Sequence, residues 1–231
     1  MKEYQKTLKF LLIVILTLYA GWRLFGVYQN EQERIRREER SDEIAQLAKV
    51  GFGEEQLAEV TYFPVAAERK RNSDGSLMEQ PEQCFSYEDS FGEERTYGGE
   101  RKHEGTDIMA IDGRSGVYPV LSMTDGVVDK VGWLELGGYR VGIRSPSGVY
   151  YYYAHLDSYR KDLAEGQQIK AGDLLGFLGD SGYGKEGTKG EFPAHLHLGV
   201  YLGGDEDVIN PYPLLRYAEP FMLSFCELEN K

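Results

Sequence analysis

The sequence predicts an all-β, small antiparallel domain set behind an N-terminal helix and a helical stalk. Three observations carry this reading. From Thr106 onward the chain runs as short stretches of alternating apolar and polar residues cut by glycine, the period-2 signature of strands with one buried face. Turn-forming groups such as Asp112-Gly113, Asp125-Gly126 and Pro146-Ser147-Gly148 fall between those stretches at hairpin spacing. Long helical patterns do not alternate with the strands, which excludes a βαβ arrangement; only Asp157 to Glu165 reads as a short helical turn.

Taken in order, residues 1–9 are a short, lysine-rich tail expected on the cytoplasmic side. Residues 10–28 read as a transmembrane anchor. The apolar run Phe10 to Trp22, continued past Arg23 to Tyr28, supplies about the 20 residues a bilayer needs, with Trp22 and Tyr28 at an interfacial position. A cleaved signal peptide is the competing reading, but no A-x-A-like site follows the run. Residues 29–60 are a charged helical stalk in which Glu and Arg interleave at i,i+3 and i,i+4 spacing, with Gly51 and Gly53 at its end. Residues 61–96 are an irregular lead-in carrying the turn Asn72-Ser73-Asp74-Gly75. Residues 97–217 form the β domain, with strands expected at Asp107–Ile111, Val117–Leu121, Gly126–Val131, Arg140–Arg144, Val149–Ala154 and Phe192–Val200; residues 218–231 are a tail.

At 231 residues the chain suits one domain plus an appendage. A net charge of -12 argues against nucleic acid as a partner. The two cysteines, Cys84 and Cys226, exclude a thiolate zinc site and a disulfide-dense scaffold; one bridge between them and two free thiols are both compatible with the sequence.

The four histidines, His103, His155, His195 and His197, all lie in glycine-flanked, strand-like settings. His195-Leu196-His197 on a strand places both imidazoles on one face, with Leu196 and Leu198 behind them. His103-Glu104-Gly105-Thr106-Asp107 nearly spells the H-E-x-x-H helix of zinc proteases. However, Gly98, Gly99, Gly105 and Gly113 break any amphipathic helix there, so His103 is expected on a loop entering a strand that carries Asp107. A catalytic zinc takes three protein ligands and leaves one position for water. Five candidates for three places leave two side chains for proton transfer and for steadying the tetrahedral intermediate. Histidine suits both tasks because its pKa lies near the working pH.

His103-x-Gly-x-Asp107, Tyr153-Ala-His155-Leu and His195-Leu-His197, in this order on a β-rich chain, resemble the LytM/lysostaphin-type zinc endopeptidases of bacterial cell walls. The resemblance runs from about Tyr97 to Tyr212 and includes Asp125-Gly-Val-Val, Ile169 to Gly176, Gly179-Asp-Ser-Gly182 and Asn210-Pro211. It implies a Zn2+ ion held by His103, Asp107 and His197, with His155 and His195 as the catalytic pair. It further implies a lysostaphin-like fold with a cleft between loops, and peptidoglycan peptides as substrate. Tyr97 is offered as an oxyanion donor over the scissile carbonyl, against the plainer role of a packing tyrosine. The segment from Tyr183 to Ala194 departs from the short loop common in that family, so bond specificity is not carried over. The Tyr150–Tyr153 run reads as strand packing, with alternate tyrosines facing the cleft side. The whole chain is then expected to be a single-pass membrane protein with an extracytoplasmic zinc endopeptidase domain. The alternative is a scaffold that binds a protein partner across the envelope, of the sporulation-channel or amidase-activator kind. An inhibitory lead-in, with Asn72 capping the metal, would be compatible with either.

Overall fold

The computed structural model describes residues 2–67, 84–96, 99–203 and 207–225, except for the side chains of residues 2–16 and 20. The chain divides into two compact units, Met1–Glu43 and Ile44–Lys231. Helix α1 runs unbroken over 48 residues, Lys2–Lys49. Along its charged stretch the Arg34 guanidinium reaches Glu31 and Glu38 at 2.5 and 2.8 Å, the helical neighbours anticipated from the stalk sequence.

Among the described residues no helix is long and apolar enough to cross a membrane. This overturns the expected anchor at 10–28 and the single-pass localisation built on it. The described side chains of that segment begin at Thr17 and include Arg23, Gly21 and Gly26; they fall short of the roughly 20 apolar residues a span requires. The side chains of Phe10 to Leu16 lie outside the described residues.

In the second unit the end of α1 and helix α2 (Glu54–Glu59) lead into the domain, and Leu47, Phe52, Leu57 and Val60 are buried in its core. The strands, in chain order, are β1 (Phe85–Tyr87), β2 (Glu94–Arg95), β3 (Arg101–Lys102), β4 (Thr106–Ala110), β5 (Pro119–Leu121) and β6 (Gly126–Leu134). They continue with β7 (Gly138–Arg144), β8 (Tyr150–Tyr159), β9 (Gln168–Ile169), β10 (Leu174–Leu178), β11 (His195–Tyr201) and β12 (Val208–Ile209) before helix α3 (Tyr212–Ala218). Ten strands form one sheet in the order β1-β4-β11-β8-β7-β6-β9, with β12 on β11 and β10 joining β8 to β5. Every ladder in it is antiparallel. The antiparallel β domain predicted from the alternating runs is therefore present.

The alternation works as the pattern requires. On β11, Leu196, Leu198 and Val200 are wholly buried on one face, each contributing about 1.5–3 kcal/mol by leaving water. His195, His197 and Tyr201 occupy the other face and line a cleft of about 930 Å3. On β8, Tyr151 and Tyr153 go to the core, and the Tyr153 hydroxyl accepts the Met123 N–H at 3.1 Å. Tyr150 and Tyr152 face the cleft. The run is thus divided between packing and cleft by simple alternation.

Two local expectations fail. Asp157 to Glu165 is not a helical turn: β8 continues to Tyr159 because Leu156, Ser158 and Tyr159 pair with β10. Helix α3 was not anticipated, and it forms because Leu214, Leu215 and Ala218 bury against the sheet's core. The lead-in supplies edge strand β1, paired to β4 through Phe85↔Ala110 and Tyr87↔Ile108. Asn72, Tyr97 and Cys226 lie outside the described residues, as do the readings attached to them.

Candidate metal centre and cleft

The centre of the sheet places the candidate residues. β11 lies between β4 and β8, and the register sets His197 opposite Asp107 on one side and opposite Ala154 on the other. Directly opposed side chains in an antiparallel pair share a face at close range. His103 stands on the loop before β4, as its glycine neighbours suggested, and no helix covers Lys102–Met109. Its ring is 3% exposed.

These three side chains converge. His103 Nε2 is 3.0 Å from Asp107 Oδ1 and 2.9 Å from His197 Nδ1, and His197 Nδ1 is 3.0 Å from Asp107 Oδ1. Such a triangle is close to one face of a tetrahedron of zinc ligands, whose edges are about 3.3 Å for metal–ligand bonds near 2.0–2.1 Å. The protonation pattern agrees. His103 Nδ1 lies 2.9 Å from the Ser90 carbonyl; donating there leaves Nε2 as a bare lone pair in the neutral ring. Arg95 Nη2 sits 3.0 Å from the same Nδ1, and a ring nitrogen that donates to Ser90 cannot also accept from Arg95. The productive contacts of Arg95 are then Glu93 at 2.9 Å and Asp107 Oδ2 at 3.4 Å. Two imidazole nitrogens and a carboxylate oxygen crowded at 3 Å, with too few protons to bridge them, form a donor set that a divalent cation satisfies. Those three residues could hold a metal ion. Burial alone would raise the Asp107 carboxyl, but contacts from His103 and His197 and the nearby imidazole charges hold it well below the usual carboxylate range.

The backbone places His155 by an irregularity. Tyr139 pairs with Leu156 and Val141 with Tyr153, so Ala154 and His155 both stand opposite Arg140. This is a β-bulge, and His155 takes the left-handed conformation with φ 61°. Strict alternation would have turned His155 to the core behind Ala154; the bulge turns it to the cleft instead. Its ring lies 4.7 Å from the His195 ring, centroid to centroid. His155 Nδ1 donates to the Ser181 carbonyl at 2.8 Å and His195 Nδ1 to the Pro193 carbonyl at 2.8 Å. Each neutral ring therefore presents Nε2 as an acceptor. His195 Nε2 is 3.7 Å from Asp107 Oδ1. Burial, followed by the neighbouring His195 and His197, pushes the His155 imidazole well below its usual pKa, and burial lowers that of His195.

The Gly179–Gly182 segment braces both rings. His195 N–H donates to the Gly179 carbonyl at 2.8 Å, and the buried Ser181 hydroxyl donates to Leu156 O at 2.6 Å. The loop that departs from the family pattern closes over the pair: Phe192 packs 4.6 Å from His155 and 5.0 Å from His195, with Tyr183 4.7 Å from Phe192. The sequence marked the segments that carry Tyr183 and Phe192 but gave those two side chains no role, and it missed Arg95 and Ser90, whose contacts with Asp107 and His103 lie 12 and 13 residues along the chain.

Comparison with known proteins agrees with this geometry. The model of peptidase family M23 matches residues 101–211. An L-Ala–D-Glu endopeptidase of Bacillus subtilis (strain 168) is 45% identical over 139 residues, covering 59% of this chain and 41% of that protein. A solved structure from Ruminococcus gnavus ATCC 29149, provisionally named glycyl-glycine endopeptidase lytM, is 55% identical. It superposes with a TM-score of 0.61, covering 72% of this chain and 63% of the other. The chain thus spans less than two thirds of the length of either relative. With the His103, Asp107 and His197 donors converging beside two further histidines, residues 101–211 of this chain are a domain of peptidase family M23.

Proposed function

We propose that this domain is a zinc-dependent endopeptidase that hydrolyses a peptide bond of peptidoglycan. The observation carrying the proposal is the meeting of three ligand-type atoms with two buried imidazoles, each tautomerically fixed with Nε2 toward the cleft. His103 Nε2, His197 Nδ1 and Asp107 would hold the ion. When bound, zinc supplies Lewis acidity toward water and the scissile carbonyl.

The chain's own residues do the rest. His195, the nearer ring to Asp107, takes the proton of the attacking water at Nε2 as the water oxygen bonds to the carbonyl carbon. The same proton is then delivered to the leaving amine as the C–N bond breaks. His155, whose bare Nε2 also faces the cleft, accepts a hydrogen bond from the attacking water and orients it, and its burial against Phe192 and Tyr183 excludes competing water. Tyr97 is the oxyanion donor the family resemblance implies. The scaffold alternative would be favoured by loss of a ligand, and all five side chains are present.

Metal analysis together with digestion of purified peptidoglycan tests the reading. One zinc per chain and release of new amino termini are expected from the wild type, with neither from Asp107→Ala. His155→Ala should keep the zinc and lose the product. A wild-type chain that binds zinc yet releases nothing would leave a metal site without the enzyme.

A further inference from the structure

One end of the cleft is floored by tyrosines that take no part in the ligand set. On β11 the cleft face carries His197 and then Gly199 and Tyr201; across the ladder Gly199 pairs with Tyr152 and Tyr201 with Tyr150. These three tyrosines line the cleft and are partly exposed, whereas Tyr151 and Tyr153, alternating with them, are wholly buried. Glycine sets how the rings lie. A Cβ at Gly142 would fall 2.4 Å from Tyr150 Cε2 and Cζ, and one at Gly199 would fall 3.0 Å from Tyr201 Cε2. Each ring therefore leans across the sheet into the place of a missing side chain. The Tyr150 and Tyr201 centroids are 5.9 Å apart with their planes at 58°, which makes a shallow aromatic trough rather than a stacked pair.

Polar groups rim the trough. The Arg144 guanidinium lies 5.1 Å from the Tyr150 centroid and donates from Nε and Nη2 to Asp129 Oδ2 at 2.9 and 2.6 Å. Both bonds fall on one carboxylate oxygen, which leaves the lone pairs of Asp129 Oδ1 to accept from a hydroxyl. Aromatic faces are electron-rich and apolar, and a few placed polar groups beside such a surface fix a ligand's orientation. A pyranose is the complement of this arrangement, with an apolar face of weakly positive C–H bonds and a rim of hydroxyls. The spacing also fits. Gly199 and Tyr201 lie about 7 and 13 Å along β11 from His197, the span of roughly two to four residues of extended peptide. In peptidoglycan the peptide hangs from a sugar ring, so a peptide seated at the metal centre carries its sugar toward the trough.

We infer that Tyr201 and Tyr150, with Asp129 and Arg144 at the rim, bind the pyranose from which the scissile peptide hangs. This rests on the peptidase reading above and adds a saccharide subsite to it: the cleft takes glycan-linked peptide in preference to the same peptide without its sugar.

The test uses the full zinc-loaded chain and two substrates with one stem peptide. The first carries its disaccharide; the second carries only the N-terminal lactyl group, so the amino end is uncharged in both. The wild type should cleave the first with kcat/KM about 10-fold or more above the second, the difference lying in KM, as burial of one sugar face requires. In Tyr201→Ala that ratio should fall to within about 3-fold of unity, and Tyr201→Phe, which keeps the ring, should restore it. Gly142→Ala, whose methyl displaces the Tyr150 ring, should lower the ratio with every aromatic retained. Zinc content should be the same throughout. Equal KM values on the two substrates in the wild type, or an unchanged ratio in Tyr201→Ala, overturns the inference. Should the wild type cleave neither substrate, the peptidase reading itself fails. Calorimetry with the same two compounds then decides the saccharide claim: tighter binding of the disaccharide-peptide that Tyr201→Ala abolishes supports it, and equal binding overturns it.

Discussion

Gly105 offers the sharpest check on the proposed metal cradle, because it touches the site with no functional group of its own. A Cβ built at this position would lie 2.5 Å from His197 Cε1, 2.6 Å from its Nε2 and 2.5 Å from the Leu198 carbonyl oxygen. Ordinary contact begins near 3.4 Å, so Gly105→Ala must open roughly 0.9 Å between the loop and β11 in a close-packed interior. Strand β11 is held on both sides by β4 and β8 and cannot give way cheaply. Either the His197 ring turns or the segment joining His103 to Asp107 lifts. Metal sites tolerate only about 0.2 Å in ligand distance. A shift several times larger should weaken zinc affinity about 10- to 100-fold, the scale seen when groups supporting a ligand are disturbed, and cost about 1–3 kcal/mol of stability by overpacking. Chelator competition reads the first and urea unfolding the second. Gly53→Ala is the control, since its Cβ would meet only the Gln56 side chain at 3.5 Å. A Gly105→Ala protein binding zinc within about 3-fold of the wild type would refute both the close approach and the ligand role of His197.

The remaining predictions follow from the same geometry. His155→Ala and His155→Gly should both abolish hydrolysis and retain zinc. The glycine variant should be the more stable by about 1 kcal/mol in thermal unfolding, because φ 61° strains any residue with a Cβ; equal stability would count against the left-handed bulge. Asp107→Ala should lose stoichiometric zinc by elemental analysis while keeping the far-ultraviolet spectrum of the β domain, since Asp107 is a site residue and Ile108 beside it carries the packing. Leu198→Ala, at a wholly buried position of the central strand, should cost about 2–5 kcal/mol in urea unfolding. Chelation should lower the melting temperature of the wild type, by the equivalent of about 2.7 kcal/mol at zinc 100-fold above Kd, and leave that of Asp107→Ala unmoved.

Local rules made much of the site legible. An HxH pair in an alternating stretch had to project two imidazoles from one face while Leu196 and Leu198 went to the core, as they do. Glycines around His103 had to deny it a helix, and Asp107 had to enter a strand. The apolar segment near the N-terminus shows where such rules stop: its length on paper suggested a span, yet no described helix is long and apolar enough to make one. Helix α3 and the strand extension to Tyr159 were invisible for a related reason, since partners far along the chain stabilise each of them.

The amino-acid order by itself determined an antiparallel β domain, the faces of its strands and the residue types able to grip a cation. Only the tertiary structure decided which of those residues meet. The pairing of β11 with β4 brought His197 to Asp107 across 90 positions of chain, a bulge turned His155 away from the core, and the pairing of β11 with β8 set Tyr201 beside Tyr150 in the same cleft. The physical reason is that side-chain periodicity is a property of a few consecutive residues. Register, bulges and strand neighbours are fixed by burial and hydrogen bonding summed over the whole sheet.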